Sequence, residues 1–330
     1  MILSKKRTLP SLPPEYRTVL LVLIALLFPL IDRNPYHIDV LVTAGVFMLL
    51  ACGLHVIVGC AGILNLGYAA LYAVGAYAYA LLNIHLHIPF WIGLILSGFL
   101  TAFFAMLLVF PALRLTGDYL AIVTLGAGEI VRIVLNNMDS ITGGPNGLLG
   151  IDHPQLPGGY SFSVASTPYY YLILILVTLV VFALRRVERS RLGQAWVAAR
   201  EDELAAACMG INPAWVKLSS FAIGGFIAGL AGSFFAAKQG TISPDSFDFV
   251  VSVMILAMVV LGGLGNIYGA LFGALLLSLL PEFLRGFDTY RMLLFGLAMI
   301  LITLFRPQGI LGEGRRRETA APALKKKAAL

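Results

Sequence analysis

Charge is scarce in this chain, and it is absent from one long stretch. Lys, Arg, Asp and Glu make up 12% of the 330 residues and hydrophobic residues 59%, whereas a soluble domain has about 25% charged residues. None of the four charged types occurs from Val40 through Leu113. A spanning helix needs about 20 apolar residues, so this stretch is long enough for several spans. The composition excludes a soluble fold and predicts an all-α membrane protein.

Cysteines and motifs of catalysis are also scarce. The three cysteines are odd in number and two lie in apolar runs, so no disulfide framework is indicated. The chain lacks G-x-x-x-x-G-K-[ST], H-E-x-x-H and C-x-x-C. His55, His85 and His87 are scattered. The sequence therefore predicts no nucleotide hydrolysis, no metal, no cofactor and no enzyme activity. A net charge of +6 does not indicate nucleic-acid binding, because multi-span membrane proteins collect Lys and Arg on their inner side.

Apolar runs separated by charges, Pro and Gly predict a bundle of ten transmembrane helices. The predicted spans are 18–31, 38–58, 68–84, 89–112, 118–136, 168–186, 217–237, 249–264, 268–284 and 290–305. Lys and Arg cluster before the first span, after the sixth and after the tenth. With ten spans all three clusters fall on one side, which places both termini in the cytoplasm.

The same count divides the chain into regions. Residues 1–17 are expected to form a cytoplasmic N-terminal segment, and residues 18–305 the transmembrane domain. The connection 137–167 contains no Lys or Arg, as expected of the largest external loop. The basic tail 306–330 is expected to be disordered in the cytoplasm.

Two glycine-rich breaks interrupt apolar runs without any charge. The first break is Gly59–Gly67 and the second break is Gly262–Asn266. Glycine permits non-helical backbone, so each break either dips into the membrane and lines a pore or forms a short cytoplasmic turn. At an offset of 200 residues, five identities relate the stretches 62–71 and 262–271, which suggests an internal duplication or a chance match.

Glu129 and Arg132 lie inside the fifth predicted span. A rise of 1.5 Å per residue from Asp118 places Glu129 about 16 Å along the helix, near the middle of a core of about 30 Å. Charge at that depth indicates a functional site, whereas a spacing of three also permits a static ion pair that fixes helix packing.

The segment 188–216 is long and polar between two spans. Arg200-Glu201-Asp202-Glu203 precedes an alanine run, and Gly210 follows it, which predicts a helix ending in a turn. Such a helix lies along the membrane surface, where it docks a partner or forms an inert amphipathic loop.

Several blocks of this sequence resemble LivM-type permease subunits of branched-chain amino acid ABC importers. They occur in order between about residue 45 and residue 312. The blocks are Asn65–Tyr77, Leu113–Gly126, Glu129–Ile133, Thr142–Gly147, Arg200–Glu203, Ser243–Phe247 and Arg306–Gly309.

This resemblance implies a type II importer permease in a bacterial inner membrane. The implied partners are a second homologous permease subunit, two ATP-binding subunits and a periplasmic substrate-binding protein, besides the lipid bilayer. Ala205, Ala206 and Gly210 match the family's E-A-A-x-x-x-G coupling pattern, whereas Leu204 departs from its acidic position. The acids that take over that charge role, and complete the expected coupling site, are Glu201, Asp202 and Glu203.

Branched-chain amino acids are the implied solute. The path through the permease should itself be only weakly specific, because the binding protein supplies most of the specificity. The residues expected along it are Gly62, Asn65, Gly67, Tyr68, Glu129, Arg132, Gly262, Gly263 and Asn266. Three alternatives stay open: a permease for urea, amides or another amino acid, an ion-coupled transporter using Glu129, and a membrane enzyme.

Overall fold

A computed structural model describes residues 34–115, 117–155 and 166–283, together with positions 26, 28, 29, 32, 162, 296, 300 and 309. Apart from those isolated positions, the predicted spans 18–31 and 290–305 and both termini lie outside the described residues. Within them the chain is an all-α bundle with one pair of two-residue strands.

Eleven α-helices occur in the described part of the chain. They are α1 Pro35–Leu54, α2 Tyr68–Leu86, α3 Phe90–Val109, α4 Asp118–Asn137, α5 Asp139–Thr142, α6 Ser166–Glu188, α7 Arg191–Glu201, α8 Glu203–Cys208, α9 Pro213–Gln239, α10 Phe249–Gly262 and α11 Ile267–Phe283. A π-helical segment, His55–Cys60, continues α1. The strands β1 Leu148–Leu149 and β2 Thr241–Ile242 pair antiparallel.

Each of the eight predicted spans within the described ranges coincides with a long helix, with ends that differ by a few residues. Six helices are long and apolar enough to cross a membrane: α1 with its π-helical extension, α2, α3, α6, α9 and α10 with the 3₁₀ turn before it. Helix α11 is apolar but shorter. Helix α4, which carries Glu129 and Arg132, is 20 residues long and is not among the six.

Polar caps and prolines determine where several helices begin. Asn34 precedes Pro35, and its side chain accepts a hydrogen bond from the second residue of α1. Asn212 and Pro213 start α9 in the same way, and Asp248 caps α10. A side-chain acceptor satisfies an otherwise unpaired N–H, and proline at the first position loses no helical bond.

Helix α9 is the most buried of the six candidate spans, and it packs against α1, α2 and α3. Small residues make this possible. A Cβ placed on Gly75 of α2 would lie 2.5 Å from the Cα of Gly229 on α9, and Ser97 of α3 hydrogen-bonds Ser233 of α9. Membrane helices associate through close backbone approach and interhelical hydrogen bonds of this kind.

The two ends of the bundle contain different connections. At one end β1 pairs with β2, and the loop after β1 is held by Asn83, whose side chain accepts from Asp152 N–H at 2.8 Å. Trp91 donates to the Gln155 carbonyl at the same end. Both glycine breaks and helices α7 and α8 lie at the opposite end, where Arg200 contacts each break. Segments predicted on one side of a membrane are therefore neighbours in the structure.

Two glycines provide a matched test of helix packing. A Cβ on Gly273 of α11 would overlap the Met258 carbonyl oxygen of α10, whereas a Cβ on Gly126 of α4 would meet nothing within 4 Å. We expect Gly273→Ala to destabilise the chain by about 1–3 kcal/mol, because overpacking forces backbone shifts. Gly126→Ala should be neutral or slightly stabilising. Thermal unfolding in detergent compares the two, and equal midpoints would contradict the α10–α11 contact.

Candidate functional site

The segment 188–216 contains two helices separated by a cap. Asp202 lies between α7 and α8, and its Oδ1 accepts hydrogen bonds from the N–H groups of Leu204 and Ala205, both at 2.9 Å. Gly210 ends the turn after α8 with a φ of 86°, a conformation that glycine adopts without strain. The predicted helix followed by a turn is thus a helix, a sharp corner and a second short helix.

Helix α8 is exposed on most of its surface. The side chains of Leu204 and Met209 are 81% and 83% exposed, and Trp215 nearby is also exposed. Ala205 and Gly210 face outward, whereas Ala206 is 5% exposed and packs against the bundle. We call Leu204, Met209 and Trp215 the apolar knob. Exposed apolar side chains clustered at one end of a protein are typical of a docking surface.

The inner side of α8 is tied to the bundle through Lys217. Lys217 Nζ lies 2.9 Å from Glu203 Oε1 and donates to the carbonyls of Leu113 and Leu115 at 3.2 and 3.1 Å. The lysine side chain is only 8% exposed, so removal of these partners would leave a buried polar group without hydrogen bonds. One side chain thereby joins α8, the start of α9 and the turn between α3 and α4.

Arg200, at the end of α7, contacts both glycine breaks. Its Nη1 donates to the Gly59 carbonyl at 2.5 Å, and its Nη2 lies 3.1 Å from Glu201. A Cβ on Gly62 would overlap the Arg200 side chain, and one on Gly265 would lie 3.4 Å from Nη1. The Arg200 side chain therefore binds the first break and lies close to the second.

A cavity of about 360 Å³ lies beside these residues. It opens between the first break, the α3–α4 turn, the α7–α8 corner and the start of α9. Its lining includes Gly62, Asp118, Arg200, Asp202, Glu203 and Lys217. Charges of both signs surround it, so it is a polar vestibule at the end of the bundle that carries α8.

The first break is buried except at Gly62, Leu64 and Leu66, and part of its backbone is hydrogen-bonded to side chains. Asn65 accepts from the Gly67 N–H at 2.9 Å, and Thr124 of α4 accepts from Leu66 N–H at 3.2 Å. The Tyr68 hydroxyl donates to the Gly224 carbonyl of α9 at 2.9 Å. Non-helical backbone at depth needs such partners. Asn65, Gly67 and Tyr68 therefore shape the break, whereas Gly62 borders the vestibule.

The second break is a tight corner between α10 and α11. Gly263 and Gly265 have φ values of 122° and 90°, which other residues rarely adopt. Gly262 lies so close to Gly269 of α11 that a Cβ there would overlap the Gly269 carbonyl. Asn266 caps α11 by accepting from Tyr268 N–H at 3.0 Å. These residues determine the angle at which α11 leaves α10.

Glu129 and Arg132 form an ion pair on α4. Arg132 Nε and Nη2 both lie 3.0 Å from Glu129 Oε2. Their side chains are 32% and 39% exposed, and only Leu120, Ala121 and Thr124 of the whole helix are buried. The pair is neutralised within one helix but is not enclosed by the described part of this chain.

The sequence argument missed three features of this end of the bundle. No contact was predicted for Arg200 or Lys217, although Arg200 directly precedes an acidic run, which is a usable signal. Of the residues predicted for coupling, Ala205 and Gly210 are exposed and Ala206 is buried, and no role was predicted for the exposed side chain of Met209. Within the described ranges, one group of His, Cys and acidic side chains lies close enough together to hold a metal ion, namely His55, Cys60 and Glu188.

Comparison with known proteins identifies the family. A family model described as "Branched-chain amino acid transport system / permease component" matches residues 36–303, which cover every helix discussed above. The chain belongs to this family of transport permeases. The match includes both breaks, α4, α7 and α8, so the site lies entirely within the shared region.

Individual relatives of this permease family agree. LivM of Salmonella typhimurium, named a high-affinity branched-chain amino acid transport system permease protein, is 44% identical over 88% of this chain and 73% of its own length. LivM of Escherichia coli is 43% identical over 89% and 74%. LivH of Escherichia coli, a permease of the same system by name, is 28% identical over 81% and 91%. No solved structure gave a significant match.

Proposed function

We propose that this chain is a permease subunit of an ABC importer that moves branched-chain amino acids across a bacterial inner membrane, powered by ATP hydrolysis in partner subunits. The observation that carries the proposal is the exposed apolar knob around helix α8. Lys217 joins α8 to the spans, and Arg200 joins α7 to them. The relatives named for branched-chain amino acid transport support the solute. The chain contains no nucleotide-binding motif, so the energy must come from a partner.

The proposed topology has ten spans, with residues 1–17 and 306–330 in the cytoplasm. The contacts within the bundle support the proposed assignment of successive connections to opposite sides of the membrane. The breaks and the segment 188–216 meet at one end, while β1 and β2 pair at the other. The loop 137–167 is then periplasmic. It offers the surface on which a substrate-binding protein delivers solute.

The apolar knob docks an ATP-binding subunit in this proposal. When that subunit moves, α8 passes the displacement along two routes. Glu203 and Lys217 carry it to α9 and to the α3–α4 turn, and Arg200 carries it to the first break through the Gly59 carbonyl. Movement of α7 and α8 thereby changes the packing at the cytoplasmic end of several spans at once, as alternating access requires.

The exposed face of α4 meets a second, homologous permease subunit. Tyr119, Ile122, Ile130 and Ile133 are exposed, and the Glu129–Arg132 pair lies beside them. Charges near the bilayer centre are costly in contact with lipid, so the pair favours a protein or a water-filled path as its neighbour. The LivH relatives support a partner from the same family.

In this proposal Glu129 and Arg132 of α4 lie along the solute path together with residues of the two breaks. Gly62 borders the vestibule. Asn65, Gly67 and Tyr68 hold the first break in shape, and Gly262, Gly263 and Asn266 do so for the second. Few polar groups of these segments are left unpaired, which suits the passage of an aliphatic side chain. Selection of the solute then rests with the binding protein.

Exchanging the charges of the ion pair tests its role. We expect Glu129→Gln to reduce uptake several-fold, because it leaves Arg132 as an unpaired charge in the membrane. The exchange Glu129→Arg with Arg132→Glu restores a neutral pair and should recover most of the uptake. Uptake assays in membrane vesicles at equal expression compare the three proteins. Loss of uptake in the exchanged variant would show that each position requires its own charge and that a neutral pair alone is not sufficient.

Purification of the tagged chain from its native membrane tests the proposed assembly. A second permease of this family and an ATP-binding subunit should be recovered together with it. Recovery of the chain alone, with solute uptake driven by a proton gradient, would favour the ion-coupled transporter instead. A permease for urea or amides would assemble in the same way but would be inhibited by its own solute and not by leucine.

A further inference from the structure

Three side chains from two distant parts of the chain meet at the cytoplasmic end of the bundle. His55 Nε2 lies 3.2 Å from Glu188 Oε1. Cys60 Sγ lies 3.6 Å from that nitrogen and 3.6 Å from that oxygen. His55 and Cys60 are buried, and the Glu188 side chain is 30% exposed. We call these three residues the His-Cys-Glu cluster.

The π-helical segment brings the first two together. In an α-helix of 3.6 residues per turn, residues five apart point in different directions, whereas the wider π-helix places i and i+5 on one side. His55 and Cys60 are the first and last residues of this segment. Gly59 leaves room for the imidazole, because a Cβ there would lie 2.5 Å from His55 Nδ1. Such local irregularities of a helix are frequent at functional sites.

The arrangement does not fit a nucleophilic relay. In a relay the base contacts the nucleophile through one ring nitrogen and the acid through the other. Here the thiol and the carboxylate both face Nε2, and Nδ1 has no hydrogen-bond partner among the described residues. The three polar atoms converge on one point and do not form a chain.

The spacing of the three atoms matches that of ligands around a tetrahedrally coordinated cation. With zinc bonds of about 2.3 Å to sulfur and about 2.0–2.2 Å to nitrogen and oxygen, the ligand atoms stand about 3.4 Å (N to O) and about 3.6 Å (S to N and S to O) apart. The observed separations are 3.2, 3.6 and 3.6 Å. A thiolate and a carboxylate also balance a double positive charge, so the loaded site is neutral and can be buried.

We propose that His55, Cys60 and Glu188 bind a divalent cation of the zinc class, with the fourth position left to water. The cation joins the end of α1 to the last residue of α6, immediately before α7 and α8 begin. It therefore ties a spanning helix to the base of the segment that carries the apolar knob. Binding itself does not depend on the proposed transport function, and the test below measures binding alone.

The test is metal binding by the purified full-length chain in detergent. We expect one Zn²⁺ per chain by elemental analysis after dialysis, and a cadmium–thiolate absorption band on adding Cd²⁺. Loss of a group that only hydrogen-bonds a metal ligand commonly costs about 10–100-fold in affinity. Cys60→Ser replaces a ligand itself, so it should weaken binding by at least about tenfold and remove the band. Glu188→Gln removes a partly exposed ligand and should also weaken binding, which provides a second variant if Cys60→Ser fails to fold.

The chain supplies its own controls. Cys52 is buried and Cys208 is exposed, and neither belongs to the cluster. Cys52→Ser and Cys208→Ser should bind Zn²⁺ and give the cadmium band as the unmodified chain does. Absence of stoichiometric binding, or equal binding by the unmodified chain and the Cys60→Ser and Glu188→Gln variants, would overturn the proposal. The cluster would then be a set of hydrogen bonds that hold the π-helix to α6.

Discussion

Replacing both Leu204 and Met209 with glutamate is expected to separate the permease from the proposed ATP-binding subunit. Both side chains are more than four-fifths exposed in this chain. If a partner covers them, each contributes about 1.5–3 kcal/mol of apolar burial, and glutamate at the same point adds an unpaired buried charge. Recovery of the ATP-binding subunit on the tagged permease should fall at least about tenfold, since each 1.4 kcal/mol is a factor of ten, and uptake should fall with it.

A leucine at the other end of the bundle provides the matched control. Leu149 lies in β1 and is 69% exposed, so Leu149→Glu introduces the same change on the surface proposed to be periplasmic. It should leave the recovery of the ATP-binding subunit unchanged, whatever its effect on delivery of solute. If the Leu204 and Met209 variant retains as much ATP-binding subunit as Leu149→Glu does, α8 is not the docking surface.

Arg200→Ala is expected to have the second large effect, on coupling and not on docking. The substitution removes the donor to the Gly59 carbonyl and empties the space between Gly62 and Gly265. A hydrogen bond from a charged group contributes about 1.5–3 kcal/mol, so the link from α7 to the first break should be lost. Because the apolar knob is untouched, the ATP-binding subunit should still bind and hydrolyse ATP, while solute moved per ATP falls at least about tenfold.

Measurement of uptake and ATP hydrolysis on the same reconstituted complex decides this prediction. Arg191→Ala is the control, since Arg191 is an exposed arginine at the start of the same helix and should leave the ratio unchanged. An unchanged ratio in Arg200→Ala would mean that displacement of α8 reaches the spans through Lys217 alone. A complex that loses its ATP-binding subunit would instead place Arg200 in the docking surface.

The hydrophobic pattern was sufficient to locate the long helices within the described ranges, six of which are long and apolar enough to cross a membrane. The uncharged run between Asp39 and Arg114 contains most of α1 and all of α2 and α3. Such a run must be helical in lipid, because each backbone polar group there needs a hydrogen-bond partner within the chain. The solute and the family were predicted from the resemblance, and the comparison with relatives confirms the family. The hydrophobic pattern and the resemblance are both independent of which side chains contact each other.

Contacts between distant segments could not be predicted. Nothing in the order of residues indicates that Arg200 reaches Gly59, 141 positions earlier, or that Glu188 meets His55, 133 positions earlier. The sequence around Ala205 and Ala206 predicts a helix, and the structure contains one there as α8. Which face of α8 points outward depends on the capping by Asp202 and on packing against the bundle. Local sequence determines the helix, whereas tertiary packing determines its exposed surface.

The most direct measurement of the central claim is uptake by proteoliposomes that contain this chain, its second permease, the ATP-binding subunits and the binding protein. The account predicts uptake of leucine, isoleucine and valine that requires ATP and stops when any one component is left out. Uptake by this chain alone in response to a proton gradient, or failure of the complete set to move these solutes with ATP, would contradict it.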